Sequence, residues 1–505
     1  MIVLIAVLLP CSLMQGQPGP AIEWQKCLGG SNDDLLRSVK PTTDGGFILA
    51  GHTLSNDGDV SGNHGDEDYW VVKLDGLGAL QWQVALGGSD EDKASGVVQT
   101  TDGGYLICGN TKSDDGDVTG FHGGDDVWVV KLSAAGSLLW QKTFGGGYSD
   151  WSSDLHITAD GGCVVVGRSN SIDGDVVGGH GGFDLWLIKL DASGTLQWQK
   201  PLGGSGSDLG TAVDVASDGG FVAVGTTNSA DGDVVGFLGV RDQWVVRTDP
   251  NGNVLWANTY GGSDEDHAAG VTFTDNGGCT VAGYSRSNDF DVSGNQGGWD
   301  AWVVHLDAVG DLQWQTAIGG AYTDLGLALA PCPDGQVVVV GTTASFGING
   351  LEDMWAMKLD AAGVSPWQQP LGGQDYEDGY AVAVTADNGF ILGGSTASND
   401  GDVSGNHGQD DFWVVKLAAD GTGLTETGIP QFTCAPNPTS GWTMLTLEAA
   451  ITGHVEVSDA LGSIVHRQAL VGTTCALDLS NLRAGVYMLT VQAPKGVVVQ
   501  RLVKE

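Results

Sequence analysis

Residues Gln81–Gln141 read QWQVALGGSDEDKASGVVQTTDGGYLICGNTKSDDGDVTGFHGGDDVWVVKLSAAGSLLWQ, and the closing Trp-Gln opens the next copy of the same pattern. That pair or its near-equivalent stands at Trp24, Trp82, Trp140, Trp198, Trp256, Trp314 and Trp367, with five intervals of 58 residues and a last one of 53. A second series keeps step with it at Trp70, Trp128, Trp186, Trp244, Trp302, Trp355 and Trp413. A fixed period of this length belongs to supersecondary units that bury their faces only against one another.

Within one copy the apolar runs are short. Leu80–Leu86 ends at Gly87-Gly88, Ala94–Thr100 and Tyr105–Cys108 flank Asp102-Gly103-Gly104, and Val127–Leu132 follows a long loop from Ser113 to Asp126. Asp-Gly-Gly between apolar runs supplies the positive φ angles of a tight hairpin. No stretch repeats every 3.6 residues. Four antiparallel strands per unit, seven times over, predict an all-β chain with a seven-bladed β-propeller at about 58 residues per blade. The chain opens on a lone Trp-Gln strand, Ile22–Leu28, and the seventh unit stops after Trp413–Leu417 without one. The first strand is therefore expected to complete the last blade and remove the open edge.

The bulk numbers agree. Hydrophobic residues make up 41% of 505, enough for a large core, while 82 glycines and only 16% charged residues favour turns over solvated helices. The net charge is −41, from 62 acids against 21 bases, and only ten of those acids are glutamates. Aspartate forms turns and binds hard cations, so the bias suits a loop-rich β protein. Such a charge repels phosphate backbones and argues against nucleic acid as a partner.

The organisation expected is a signal peptide over 1–17, the propeller over 22–417, a polar linker over 418–430 and a C-terminal domain over 431–505. No segment of the mature chain has the length of uninterrupted apolar residues a transmembrane helix needs. Cys108, Cys163 and Cys279 lie in apolar runs and read as buried small hydrophobes. Cys434 and Cys475 share the last segment, where a disulfide outside the cell is one expectation.

The hairpin Asp75-Gly-Leu-Gly78-Ala-Leu-Gln-Trp82, with Asp191…Gly194…Trp198 and Asp307…Gly310…Trp314, resembles the Asp-x-x-x-Gly-x-x-x-Trp signature of quinoprotein-like, WD-like propeller repeats, one turn residue shorter. The resemblance implies a fold in which the tryptophan docks blade to blade. It does not imply the quinone cofactor, because that family usually carries eight repeats.

Loops alternate between the two faces of such a ring, and the long loops gather most of the acid on one of them. Asp57, Asp59, Ser61 and Asp68 fall at positions 1, 3, 5 and 12 with Gly62 at 6, close to a calcium-loop pattern. The frame recurs as Asp115, Asp117, Thr119, Asp126; as Asp289, Asp291, Ser293, Asp300; and as Asp400, Asp402, Ser404, Asp411. Clustered carboxylates without soft ligands favour Ca²⁺. A second reading of the same loops is a set of Asx turns whose final aspartate caps the entry to the tryptophan strand. His64, His122, His180 and His407 share one loop position and read as solvated loop side chains. No nucleophile elbow and no phosphate-binding loop appears.

From about Pro430 the repeat is gone, and five short apolar runs, Met444–Leu447, His454–Ser458, Ile464–Gln468, Tyr487–Gln492 and Val497–Val503, predict the strands of a small β-sandwich. Pro436-Asn-Pro-Thr-Ser-Gly441, Val457-Ser-Asp-Ala-Leu-Gly462, Asp478-Leu-Ser-Asn-Leu482 with Gly485-Val-Tyr487, and the terminal Arg501-Leu-Val-Lys-Glu505 resemble the type A C-terminal sorting domain of the type IX secretion system. The resemblance implies two-step export to the medium or outer cell surface, with the secretion machinery as partner. The function expected is that of a secreted, adhesin-like binding propeller for a carbohydrate or protein ligand, with calcium on its acidic face. The alternative is an extracellular polysaccharide hydrolase or quinoprotein-like dehydrogenase on the same ring.

Overall fold

The computed structural model describes residues 19–504, apart from 275, 348–350, 421–431, 436–438, 440, 459–463, 484 and 494–495. The chain forms two compact units, one ending at Ala418 and one beginning at Ala419. The expected signal segment, the linker and the Cys434 side chain fall outside the described residues.

The first unit is all β and adopts a propeller arrangement of four-stranded antiparallel sheets, seven of them among the described residues. The first sheet runs β2 (Asp34–Pro41), β3 (Phe47–Thr53), β4 (Asp68–Leu74), β5 (Leu80–Leu86) in spatial and chain order. The last sheet takes three strands from Glu377–Leu417 and its fourth from β1 (Ile22–Leu28), which pairs antiparallel with Asp411–Leu417. Inner strands equivalent to β2 touch in sequence around a circle, and the last touches the first. One apolar cluster accordingly joins Leu36, Phe47 and Trp70 of the first sheet to Ile391, Phe412 and Val414 of the last.

Burial follows strand position. Every residue of β3 and β4 is buried, as expected where sheets stack on both faces. The outer strand β5 is buried only at its Ala85-Leu86 end. The two tryptophan series meet here: Trp70 Nε1 donates to Gln83 Oε1 across 2.9 Å, and Trp128, Trp186 and Trp302 repeat the bond to Gln141, Gln199 and Gln315. Trp413 makes the fifth such bond, with Gln25 at 3.0 Å across 388 residues of sequence, whereas Trp244 and Trp355 do not make it. The Trp-Gln tryptophans reach the neighbouring sheet. Gly78, at φ +77°, leaves room for Trp24, whose Cε3 would stand 2.9 Å from an added Cβ; Gly136 does the same for Trp82.

The second unit differs from expectation in its strands. Met444–Leu447 and His454–Ser458, predicted as separate strands, belong to one strand, Trp442–Ser458. No glycine or proline pair interrupts the run between them, so pairing with the Ile464–Asp478 strand continues past an irregularity between Thr446 and Ile451. Five strands form a single hydrogen-bonded sheet over a core that includes Leu445, Val455, Leu477 and Leu489.

Candidate functional site

Each inner strand carries one β-bulge, and it always falls at the same place. The register slips between Leu36 and Ser38, Ala94 and Gly96, Ser152 and Asp154, Gly210 and Ala212, and so on around the ring. A bulge redirects a side chain that regular alternation would place elsewhere. The bulged residues all line an axial cavity of about 470 Å³, and they are not a repeat: Arg37, Ser95, Ser153, Thr211, Ala269, Leu327 and Tyr380.

Three of these hydroxyls lace consecutive sheets together. Ser95 donates to Ser152 O (3.0 Å), Ser153 to Gly210 O (2.8 Å) and Thr211 to Ala268 O (2.9 Å). On the opposite side the Arg37 guanidinium sits 4.3 Å over the Tyr380 ring. The Tyr380 hydroxyl donates to Asp378 at 2.9 Å. Burial first, then the Asp378 charge, pushes this phenol up to about 12.

Further along the wall, His156 Nδ1 lies 3.3 Å from Asp214 Oδ1. Asp214 also accepts the Phe273 and Val215 amides at 2.8 and 2.7 Å. Asp154 accepts the Leu155 and Val213 amides at 2.8 and 3.2 Å. Burial raises its carboxyl above the ordinary range, opposed by the Lys40 charge. The cavity thus presents both charge signs, hydroxyls and an imidazole on rigid strands.

Sequence reasoning missed this axial set, because regular alternation along an inner strand does not show which residue a bulge turns inward. The available signal was the glycine repeated at Gly51, Gly109, Gly167 and Gly225, each opposite a bulge.

The acidic loops are held by their own hydrogen bonds. Asp57 accepts the Ser31 amide of the preceding linker at 2.8 Å, the Asp59 amide donates to Gly29 O, and Ser61 Oγ accepts from Gln83 at 2.6 Å. Asp68 is fully buried at the start of β4, where Oδ2 accepts the His64 amide (2.8 Å) and lies 2.7 Å from its Nδ1. The copies repeat this. Asp115, Asp289 and Asp400 accept the amides of Ser89, Ser263 and Gln374. Asp117, Asp291 and Asp402 donate backbone N–H to Gly87, Gly261 and Gly372. Thr119, Ser293 and Ser404 meet Gln141, Gln315 and Gln25. Asp126, Asp300 and Asp411 accept the amides of His122, Gln296 and His407. The four positions of each frame therefore point to different partners. Among the described residues no three His, Cys, Asp or Glu side chains are grouped to hold a metal ion.

The final aspartate of each loop confronts the first residue of the next inner strand. Asp68 Oδ1 and Asp92 Oδ2 both crowd Gly87, 2.5 and 2.6 Å from where a Cβ would stand. Burial raises Asp34, Asp92, Asp126 and Asp300 to about 6 and Asp242 to about 7, with a facing carboxylate adding to each. The turn carboxylate Asp44 moves the other way, to about 2, through the Thr42 hydroxyl and then Lys73. Groups raised by folding stabilise fully below their unfolded value and lose that contribution as pH rises through the folded one. Melting temperature should therefore fall by about 5–10 °C between pH 5 and pH 8, and fall again below about pH 3 as turn carboxylates protonate. A flat profile from pH 5 to 8 would contradict this assignment.

Residues 434–505 match the family described as the secretion system C-terminal sorting domain. The chain carries a type IX sorting domain. That domain marks secreted cargo, located at the cell surface or outside the cell. No helix among the described residues is long and apolar enough to cross a membrane. A stretch of 161 residues is 30% identical to the regulatory protein FlaEY of Caulobacter vibrioides, covering 30% of this chain and 16% of that protein. Among solved structures, the quinone-bound aldose sugar dehydrogenase of Streptomyces coelicolor is 12% identical at TM-score 0.35, over 79% of this chain and 99% of that one. A gluconolactonase of Xanthomonas campestris is 12% identical at TM-score 0.32, over 63% of this chain and 91% of that one. At such scores neither adds to the fold read from strand pairing.

Proposed function

We propose that the sorted protein is a secreted or surface-displayed binding propeller of seven blades, closed by its N-terminal strand and followed by a small sandwich-like sorting domain. Its ligand is a hydroxyl-rich molecule, a carbohydrate end, taken at the axial cavity. The observation that carries this is the loss of repeat symmetry at the axis: seven equivalent bulges present Arg37, three aliphatic hydroxyls, two apolar side chains and Tyr380. Mixed hydrogen-bonding groups on rigid strands suit recognition of sugar hydroxyls. Calcium remains part of the proposal as a ligand of the acidic loop face.

A glycan array run with the full chain, with and without Ca²⁺, tests both. Binding to a defined glycan class that drops at least about tenfold in Arg37→Ala supports the axial site. Binding unchanged in that variant, or no glycan bound in either condition, contradicts it. A second reading, polysaccharide hydrolysis, is favoured by one observation, the His156–Asp214 pair beside Asp154 within the same cavity. Release of reducing ends that disappears in His156→Ala would select it.

A further inference from the structure

In six sheets the third strand places a buried cation opposite the outer-strand tryptophan. Lys73, Lys131, Lys189, Arg247, Lys358 and Lys416 each pair with the aspartate of the tight turn in the same sheet (Asp-Gly in five, Asp387-Asn388 in the last), at 2.7–3.0 Å. The fifth sheet departs from this. His305 stands opposite Trp314, and the turn residue is Asn276. The imidazole stacks on Trp314 at 5.4 Å and 18°, with Nδ1 3.0 Å from Thr280 Oγ1. The Asn276 carboxamide closes its own turn through Thr274 and Gly278. A long aliphatic stem and a charge are both missing.

A second departure falls on the same tryptophan. Four sheets press an aromatic ring against the tryptophan of the preceding sheet: Phe47 on Trp24, Tyr105 on Trp82, Phe221 on Trp198 and Phe390 on Trp367, all with centroids 5.7–5.8 Å apart. Trp314 packs instead against a cluster that contains Val337 at the equivalent position. Trp140 and Trp256 also face a smaller residue, Cys163 or Cys279, but they keep Lys131 and Arg247 alongside. Among the described residues, Trp314 alone has lost both the ring and the cation. The result is a cleft of about 600 Å³ between the fifth and sixth sheets, walled by Phe273, Thr280, His305, Trp314, Cys332 and Val337.

We propose that this cleft binds a small, flat, uncharged aromatic molecule whose ring occupies the place that Phe47, Tyr105, Phe221 and Phe390 fill elsewhere. The volume lies within the range of small-molecule sites. Ring pairs at 4.5–7 Å gain beyond simple burial, and the tryptophan is already positioned for that contact. Loss of the buried ammonium removes any preference for an anion. Burial holds the His305 imidazole below its usual value. The one carboxylate on the wall, Asp360, is engaged by its own turn, where it accepts the Ala362 and Val364 amides, so the wall offers single hydrogen bonds through His305, Thr280 and Asn276.

The test uses full-length protein and the neutral fluorescent probe N-phenyl-1-naphthylamine. Wild type should show a saturable rise in emission at one site per chain. Val337→Phe restores the ring that four sheets possess, so it should weaken binding at least tenfold without lowering the melting temperature. If that variant melts early, the His305→Lys and Asn276→Asp pair, which rebuilds the ion pair, replaces it. Absence of saturable binding by wild type overturns the proposal, as does unchanged binding by whichever closing variant folds.

Discussion

A chain lacking Ile22–Leu28 is expected to fold without cooperativity and to aggregate. β1 supplies the fourth strand of the last sheet, although it lies almost four hundred residues away in sequence. Without it the fully buried Asp411–Leu417 strand becomes an open edge, Trp413 Nε1 loses Gln25, and Lys416 loses Glu23. Leu28 also leaves the apolar cluster between the first and last sheets, and Cys27 the one between the sixth and last. The combined cost is about 5 kcal/mol or more, the scale of emptying two core positions. Thermal unfolding followed by near-ultraviolet circular dichroism, with light scattering alongside, reads the effect. A truncated chain that melts as wild type does would show that the strand is dispensable.

The second large effect is expected at Gly225. It pairs with Gly210 beside the bulge at Thr211, where a Cβ on Gly225 would stand 1.7 Å from the Leu209 carbonyl oxygen. The obstacle is backbone, so no rotamer relieves it, and either the bulge or the strand pairing must give way. Gly225→Ala should cost about 3 kcal/mol, at the upper end of what overpacking does. Gly147→Ala, at an exposed linker position whose nearest neighbour would be a side chain, should change stability by less than about 0.5 kcal/mol. Because the bulge aims Thr211 at the axis, Gly225→Ala should also disturb the cavity wall. Equal melting temperatures for the two variants would remove the link between this glycine and the bulge.

Those two positions also separate what the sequence makes legible from what it hides. Strand number and order per repeat are visible because the Trp-Gln and second tryptophan series keep phase over the whole ring, and in five sheets a cross-strand bond from the second tryptophan to the glutamine joins the two series. The acidic loops were also visible as loops. Their oxygens were not assignable to one centre, because spacing along a chain does not say whether Asp57 turns toward Ser31 or toward Asp68. The axial residues stayed hidden for a different reason. An inner strand of Asp34–Pro41 type looks like ordinary alternation until one extra residue is inserted opposite a glycine, and that shift alone decides whether Arg37 faces the axis. In the second unit, apolar runs that look separate in sequence belong to one strand, Trp442–Ser458, because the lone Gly453 between them does not break the pairing with Ile464–Asp478.

Export and ring architecture are thereby linked. A sheet edge left open on a secreted chain would invite pairing with other chains, and closure by β1 removes it. Carbodiimide coupling of the intact protein, followed by peptide mass spectrometry, tests that closure most directly. Glu23 Oε2 lies 3.1 Å from Lys416 Nζ, a spacing like that of Asp44 and Lys73 within the first sheet at 3.0 Å. A closed ring yields both zero-length cross-links within one chain. Recovery of the Asp44–Lys73 link without the Glu23–Lys416 link would mean that the ends of the repeat array do not meet.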